Sequence, residues 1–246
     1  MKRLINFSSL LLLLAILLTS CIRGTTSLGG VENRLTLEEN KIAIFKNGYP
    51  EGWWARDDRG NGPPFNCEFR RSNAVIGNGL LTLALTEKDD RYIGAEYRTQ
   101  QKYSYGFYSV RMKAAKCPGV ISSFFTYTNW PWDEIDIEFL GDDTTKVQFN
   151  YYTNGVGQHE YVYHLGFDAS EDFHEYAFDW RPDSITWYVD GRPVYRATKS
   201  IPSHAGQIMM NLWNVADTNA DWAGRFDDSL LPVVAEYEWV GYQSAE

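Results

Sequence analysis

Between Leu80 and Val240 the chain breaks into short alternating or apolar runs with turn signals between them, and that pattern excludes most folds at once. The runs are Leu80–Leu85, Tyr105–Met112, Ile121–Tyr127, Glu134–Phe139, Lys146–Tyr152, Glu175–Trp180, Ser184–Val189, Gln207–Trp213 and Val234–Val240. Asn78-Gly79 and Asp190-Gly191 each supply the positive φ that a tight hairpin turn demands. No long stretch has helical periodicity, and Asp168–Phe173 has room only for a turn or a short helix. The expectation is an all-β chain, a two-sheet antiparallel sandwich with no internal repeat and no second domain.

One run departs from what stability alone would select. In Trp132-Asp-Glu-Ile-Asp-Ile-Glu-Phe-Leu140, period-two alternation sends Ile135, Ile137 and Phe139 to one face and Glu134, Asp136 and Glu138 to the other. Three like charges in file repel one another, so a solvated strand face is a poor explanation. Cleavage of a glycosidic bond is a good one, because it uses two carboxyl groups, one ionised and one protonated. At about 3.3 Å per residue the Cα atoms of Glu134 and Glu138 lie roughly 13 Å apart. Side chains leaning together would bring the carboxyls to about 6 Å, between the retaining spacing of about 5–5.5 Å and the inverting spacing of about 6.5–9.5 Å. Asp136 stands between them, placed to hold the two pKa values apart.

The stretch from Trp132 to Asn150, with Gly141, Thr144 and Thr145, resembles the signature of the bacterial 1,3-1,4-β-glucanases, or lichenases, of glycoside hydrolase family 16. Similarity extends through Phe65-Asn66-Cys67, Glu96-Tyr97-Arg98, Ser122–Tyr127, Asn154-Gly155-Val156-Gly157, Gly166-Phe167-Asp168, Asn211-Leu212-Trp213 and Ala235-Glu236-Tyr237. The resemblance implies a concanavalin A-like β-jelly-roll with a concave substrate cleft, acting on β-glucan by retaining double displacement and without a catalytic cofactor. On this chain it makes Glu134 the nucleophile, Glu138 the acid/base and Asp136 the assisting carboxylate. It assigns substrate contacts to Asn61, Glu96, Arg98, Phe125, Tyr127, Trp132, Tyr152, Asn211, Trp213 and Trp222. Xyloglucan hydrolases or transglycosylases use the same Glu-x-Asp-x-Glu spacing and are the alternative enzyme. A non-catalytic glycan-binding lipoprotein is the alternative of another class. An ion pair alone would also account for Glu96 beside Arg98.

Charge and composition fit a neutral polysaccharide partner. The formal charge is −9, and without Lys2 and Arg3 it becomes −11, which repels nucleic acid. Sixteen Tyr, nine Trp and thirteen Phe exceed what a core of this size needs, leaving flat rings for sugar faces. Lys2-Arg3, the apolar Leu10–Leu18 and then Leu18-Thr19-Ser20-Cys21 read as an export signal, since so short a stretch does not span a bilayer. The end of this segment resembles a bacterial lipobox. That gives a lipoprotein signal peptide at 1–20, lipidation of Cys21, a tether over 21–34 and a single domain over 35–246, monomeric, in the bacterial envelope; simple secretion is the alternative. Lipid attachment would be its only contact with a membrane.

His159, His164, His174 and His204 lack zinc spacing, and no Gly-x-Ser-x-Gly elbow occurs. The family resemblance implies a structural calcium at Gly79 and Glu238, although Glu238 stands where those enzymes usually carry Asp. It also implies a disulfide from Cys67 to position 94, which here is Gly94, so Cys117 becomes the candidate partner of Cys67. Between Tyr127 and Trp132 only Thr128-Asn129-Trp130-Pro131 remains, about four residues fewer than in the lichenases, the kind of variation that loops on a rigid scaffold tolerate. The short loop puts linkage preference in question and leaves the reaction type untouched.

Overall fold

A computed structural model describes residues 40–245. The leader, Cys21 and the tether therefore lie outside the described residues. In chain order the strands are β1 (Lys41–Ile44), β2 (Trp53–Ala55), β3 (Glu68–Phe69), β4 (Ala74–Gly77), β5 (Leu80–Lys88), β6 (Arg91–Tyr103), β7 (Gly106–Lys113) and β8 (Val120–Asn129). They continue as β9 (Trp132–Leu140), β10 (Lys146–Tyr152), β11 (Tyr161–His164), β12 (His174–Arg181), β13 (Ser184–Val189), β14 (Arg192–Ala197), β15 (Gly206–Asn214) and β16 (Val233–Ser244). The one α-helical turn among the described residues, α1 (Ala220–Ala223), carries Trp222.

Hydrogen bonding links the strands in the order β11-β10-β9-β8-β15-β6-β5-β16-β7-β12-β13-β14. The ribbon doubles back at the β5–β6 hairpin, where Thr86, Glu87 and Lys88 face Ile93, Tyr92 and Arg91. One layer thus holds β11, β10, β9, β8, β15 and β6; the other holds β5, β16, β7, β12, β13 and β14. At the β4–β5 turn Asn78 and Gly79 have φ of 54° and 87°, and at the β13–β14 turn Asp190 and Gly191 have 46° and 75°. These left-handed pairs match the twist of the flanking strands, which explains why Asn-Gly and Asp-Gly stand there.

The core fills the space between the layers. Ile135, Ile137 and Phe139 are wholly buried, as the alternation of β9 requires, each contributing about 1.5–3 kcal/mol of transfer free energy. Aromatic contacts stitch the layers together: Phe139 meets Tyr176 at 4.8 Å, Phe149 meets Trp187 at 5.6 Å and Phe124 meets Phe178 at 6.0 Å. Two polar tips brace the cleft-bearing layer from beneath. Trp187 Nε1 donates to the Asp136 carbonyl (3.1 Å), and Tyr237 OH donates to the Ser123 carbonyl (3.0 Å).

Some expectations need correction. The Cys67–Cys117 disulfide does not form: both thiols are free and buried in different surroundings. Cys67 packs on Gly94 of β6, whereas Cys117 lies 3.5 Å from the Pro118 carbonyl and 3.4 Å from the Asp227 carbonyl. Burial pushes these thiols up to about 12 and about 11, so neither is a thiolate at neutral pH. Of the two readings of Asp168–Phe173, the turn is the one that forms. Strands β1 to β4, β11 and β14 and the long β6 carry no run distinct enough to have been read from sequence, because they are short, exposed or interrupted by polar residues.

Candidate active site

Alternation in five neighbouring strands builds a polar floor on the outer face of one layer. Register places Tyr152, Glu134, Tyr127, Gln207 and Lys102 in one row across β10, β9, β8, β15 and β6. The next row holds Asn150, Asp136, Phe125, Met209 and Arg98, and the next Gln148, Glu138, Ser123, Asn211 and Glu96. A cleft of about 870 Å³ lies over this grid. Glu134, Asp136 and Glu138 line it, as do Asn61, Glu96, Arg98, Phe125, Tyr127, Trp132, Tyr152, Asn211, Trp213 and Trp222. Residues from Asn61 to Trp222 thus converge on one surface.

The surroundings of the two glutamates differ. Trp132 Nε1 donates to Glu134 Oε2 at 2.6 Å, and Asp136 hydrogen-bonds Glu134 from the other side. Glu138 Oε2 accepts from Gln148 Nε2 at 3.0 Å, and Gln148 Oε1 accepts in turn from Trp222 Nε1 at 3.3 Å. Burial pushes Glu134 up to about 7, opposed by the Trp132 bond and raised further by the charge of Glu138. Burial also pushes Glu138 up to about 7, opposed by Gln148 and reinforced by Glu160. Asp136 is pushed well above the carboxylate range, first by burial and then by the charges on either side. A protonated Asp136 is therefore a donor to Glu134, so Glu134 receives two donors suited to an anion.

The cleft walls carry stacking surfaces and unspent polar atoms. Trp132 stacks on Tyr152 at 4.5 Å and 13°, while Trp213 packs against Phe65 at 4.0 Å and Trp222 at 6.0 Å. Arg98 lies 4.1 Å over the Trp54 ring. Glu96, 2% exposed, sits between Arg56 and Arg98, each 3.4 Å away. The Arg98 contact is an ion pair without a hydrogen bond, so Glu96 Oε1 and Arg98 Nε are buried with only each other's charge as partner.

Beside Glu134, Asp133 points the other way and is buried. It accepts from the Asn154, Ser203 and His204 backbone N–H groups at 2.8, 2.8 and 3.0 Å and from His204 Nδ1 at 2.9 Å. These bonds tie the start of β9 to two loops and so fix the strand that carries the carboxyl file.

Arg56, Lys102, Met209 and Glu160 also line the cleft, and sequence reasoning missed them. Met209 breaks the polar pattern of β15, yet it occupies a cleft-facing register between Phe125 and Arg98. Arg56 follows the three-residue β2, and only the pairing of β2 with β6 brings it to Glu96. No local signal marks Arg56, whereas the alternation of β15 puts Met209 on the face of Gln207 and Asn211.

Gly79 and Glu238, the positions named for calcium, lie outside this cleft. Arg111 Nε donates to Glu238 Oε2 at 2.6 Å, so the carboxylate is already paired with a cation. Among the described residues no group of three or more His, Cys, Asp or Glu could hold a metal ion.

Comparison with known proteins agrees with this geometry. The model of "Glycosyl hydrolases family 16" matches residues 61–240. A beta-glucanase of Acetivibrio thermocellus is 52% identical over 208 residues, covering 82% of this chain and 61% of the relative, so the chain spans about three fifths of that protein. The solved beta-glucanase of Bacillus licheniformis superposes with a TM-score of 0.79 at 50% identity, over 82% of this chain and 97% of that one. A lichenase structure derived from a mouse hindgut metagenome gives 0.78 at 51% identity, over 82% and 98%. The antiparallel sandwich is accordingly the jelly roll expected from the sequence, and the chain belongs to glycosyl hydrolase family 16.

Proposed function

We propose that the chain is an endo-acting β-glucanase that hydrolyses mixed-linkage 1,3-1,4-β-D-glucan with retention at the anomeric carbon. The observation that carries this reading is the unequal treatment of two glutamates in one carboxyl file. Glu134 takes hydrogen bonds from Trp132 and Asp136, which favour its anion, and is the nucleophile. Glu138 has a neutral amide partner and feels the charge of Glu160, so it keeps its proton as the general acid.

In the first step Glu138 protonates the departing glycosidic oxygen while Glu134 attacks the anomeric carbon, giving a glycosyl ester. Ionised Glu138 then takes a proton from water, which displaces Glu134 and restores both groups. Aromatic residues beyond both ends of the file, Trp132 with Tyr152 and Trp213 with Phe65, offer sugar platforms on either side of the scissile bond, the arrangement an endo mode uses. The names of the similar beta-glucanase and lichenase support mixed linkage as the substrate class.

Reducing-sugar release is the test. Barley β-glucan is expected to be cleaved at least tenfold faster than xyloglucan, laminarin or carboxymethylcellulose; faster cleavage of xyloglucan would replace this assignment. The leader through Cys21 supports a lipoprotein of the bacterial envelope. Labelled palmitate should enter the wild-type protein and not Cys21→Ala.

A further inference from the structure

The tip of the β8–β9 hairpin carries an indole that the cleft does not use. The two strands stay in register up to Asn129 and Trp132, so Trp130 and Pro131 alone form the turn. Trp130 is 92% exposed and does not line the cleft. So large an apolar ring held in water forfeits the burial that would stabilise it, and folding gives no reason for it.

The two strands that carry this turn are anchored on both arms. Lys102 Nζ donates to Thr128 Oγ1 at 2.8 Å, and Tyr127 OH donates to Asn129 Oδ1 at 3.2 Å. On the other arm, Gly155 N donates to the Trp132 carbonyl at 2.8 Å and Asp133 is held by its four donors. A two-residue turn between two anchored strands has little slack. Immediately inside it, Trp132 is 38% exposed and lies stacked on Tyr152. Asn129 and Trp132, the residues on either side of the turn, both line the cleft, so the hairpin tip stands at its rim.

We propose that Trp130 is an outlying stacking site for the β-glucan chain where it leaves the cleft past Trp132. The occupant is a neutral pyranose chain: the turn joins two residues that line the sugar cleft, Asn129 and Trp132, and a protein of formal charge −9 is poorly suited to a polyanion. One C–H face of a sugar ring would cover the exposed indole, recovering the burial that the free protein lacks. The site rests on the glucanase reading and adds to it a preference for long substrates. Oligosaccharides that end within the cleft do not reach Trp130.

Two measurements on Trp130→Ala and Trp130→Tyr test the proposal. In steady-state kinetics, Trp130→Ala should raise KM for barley β-glucan about three- to tenfold, the range expected for losing one partly covered aromatic face, with kcat unchanged. Its kcat/KM on an aryl trisaccharide should match the wild type, and Trp130→Tyr should recover most of the polymer KM. An unchanged polymer KM, or equal losses on polymer and trisaccharide, would overturn the site. In affinity electrophoresis through gels containing barley β-glucan, the wild type should be retarded and Trp130→Ala retarded less. This second readout does not depend on turnover, so a wild type that binds without cleaving would defeat the glucanase reading alone. Equal mobility of wild type and Trp130→Ala would defeat the stacking site alone.

Discussion

Replacing Glu138 by Gln should stabilise the protein, and only above a definite pH. Burial lifts the Glu138 carboxyl from its ordinary 4.5 to about 7, with Gln148 opposing and Glu160 adding to the effect. The sign follows from linkage. A group whose folded pKa is raised supports the fold fully below about 4.5, and that support is lost as pH rises through about 7. The full difference corresponds to about 3 kcal/mol, but Glu134, Asp136 and Glu138 titrate together, so removing one carboxyl is assigned about 1–3 kcal/mol. Glutamine is nearly isosteric, and its carbonyl can still accept from Gln148 Nε2. For a domain of this size 1 kcal/mol moves Tm by about 2–4 °C, so Glu138→Gln should melt about 3–10 °C above wild type at pH 8 and within about 1 °C of it at pH 4. Turnover of barley β-glucan should fall by at least about 10²-fold in the same protein. Calorimetry across pH 4–9 checks the stability claim. An increment of the same size at both pH values, or a loss of stability at pH 8, would show that the buried carboxyl file stores no ionisation cost.

Three further outcomes follow from other parts of the fold. A Cβ built on Gly94 lies 2.7 Å from Cys67 Sγ and 3.6 Å from Cys67 Cβ, so Gly94→Cys should form a disulfide with Cys67. Because that Cβ also falls 2.6 Å from the Leu212 carbonyl, the gain should be about 2 kcal/mol, below the entropic ideal; thiol labelling and Tm before and after reduction check it. Asp133→Asn should cost about 2–4 kcal/mol in urea denaturation by leaving buried donors short of acceptors. Burial pushes the Asp133 carboxyl up, but its bonds from Asn154, Ser203 and His204 hold it below the ordinary range, so its stabilisation is present above about pH 4 and is lost as pH falls. With Arg111 occupying Glu238, a chelator should leave the melting temperature unchanged, and a drop in calorimetry would reveal a cation site elsewhere.

Much of the site was legible because it lies on strands with strict alternation. In β9 the trio Ile135, Ile137 and Phe139 is wholly buried and the three acids face the cleft; β10 repeats the pattern with Phe149 inside and Asn150 outside. Register then does what no local pattern can, setting Gln148 beside Glu138 and Tyr152 beside Glu134. Residues supplied by short or distant elements stayed hidden. Arg56 reaches Glu96 only through the β2–β6 pairing, and Phe65 reaches Trp213 from a loop. Met209 shares the cleft-facing side of β15 with Gln207 and Asn211, and its thioether is an apolar exception in a polar row. The cysteine pairing failed for a similar reason: eliminating other partners does not place two thiols in one pocket.

The division of labour between Glu134 and Glu138 is tested most directly by trapping the covalent intermediate. Incubation with an activated 2-deoxy-2-fluoro-β-glucoside oligomer, followed by peptide mapping in a mass spectrometer, should find the sugar esterified to Glu134 alone, with inactivation in step with labelling. A label on Glu138, or an active enzyme that never acquires one and releases the α-anomer first, would contradict the account.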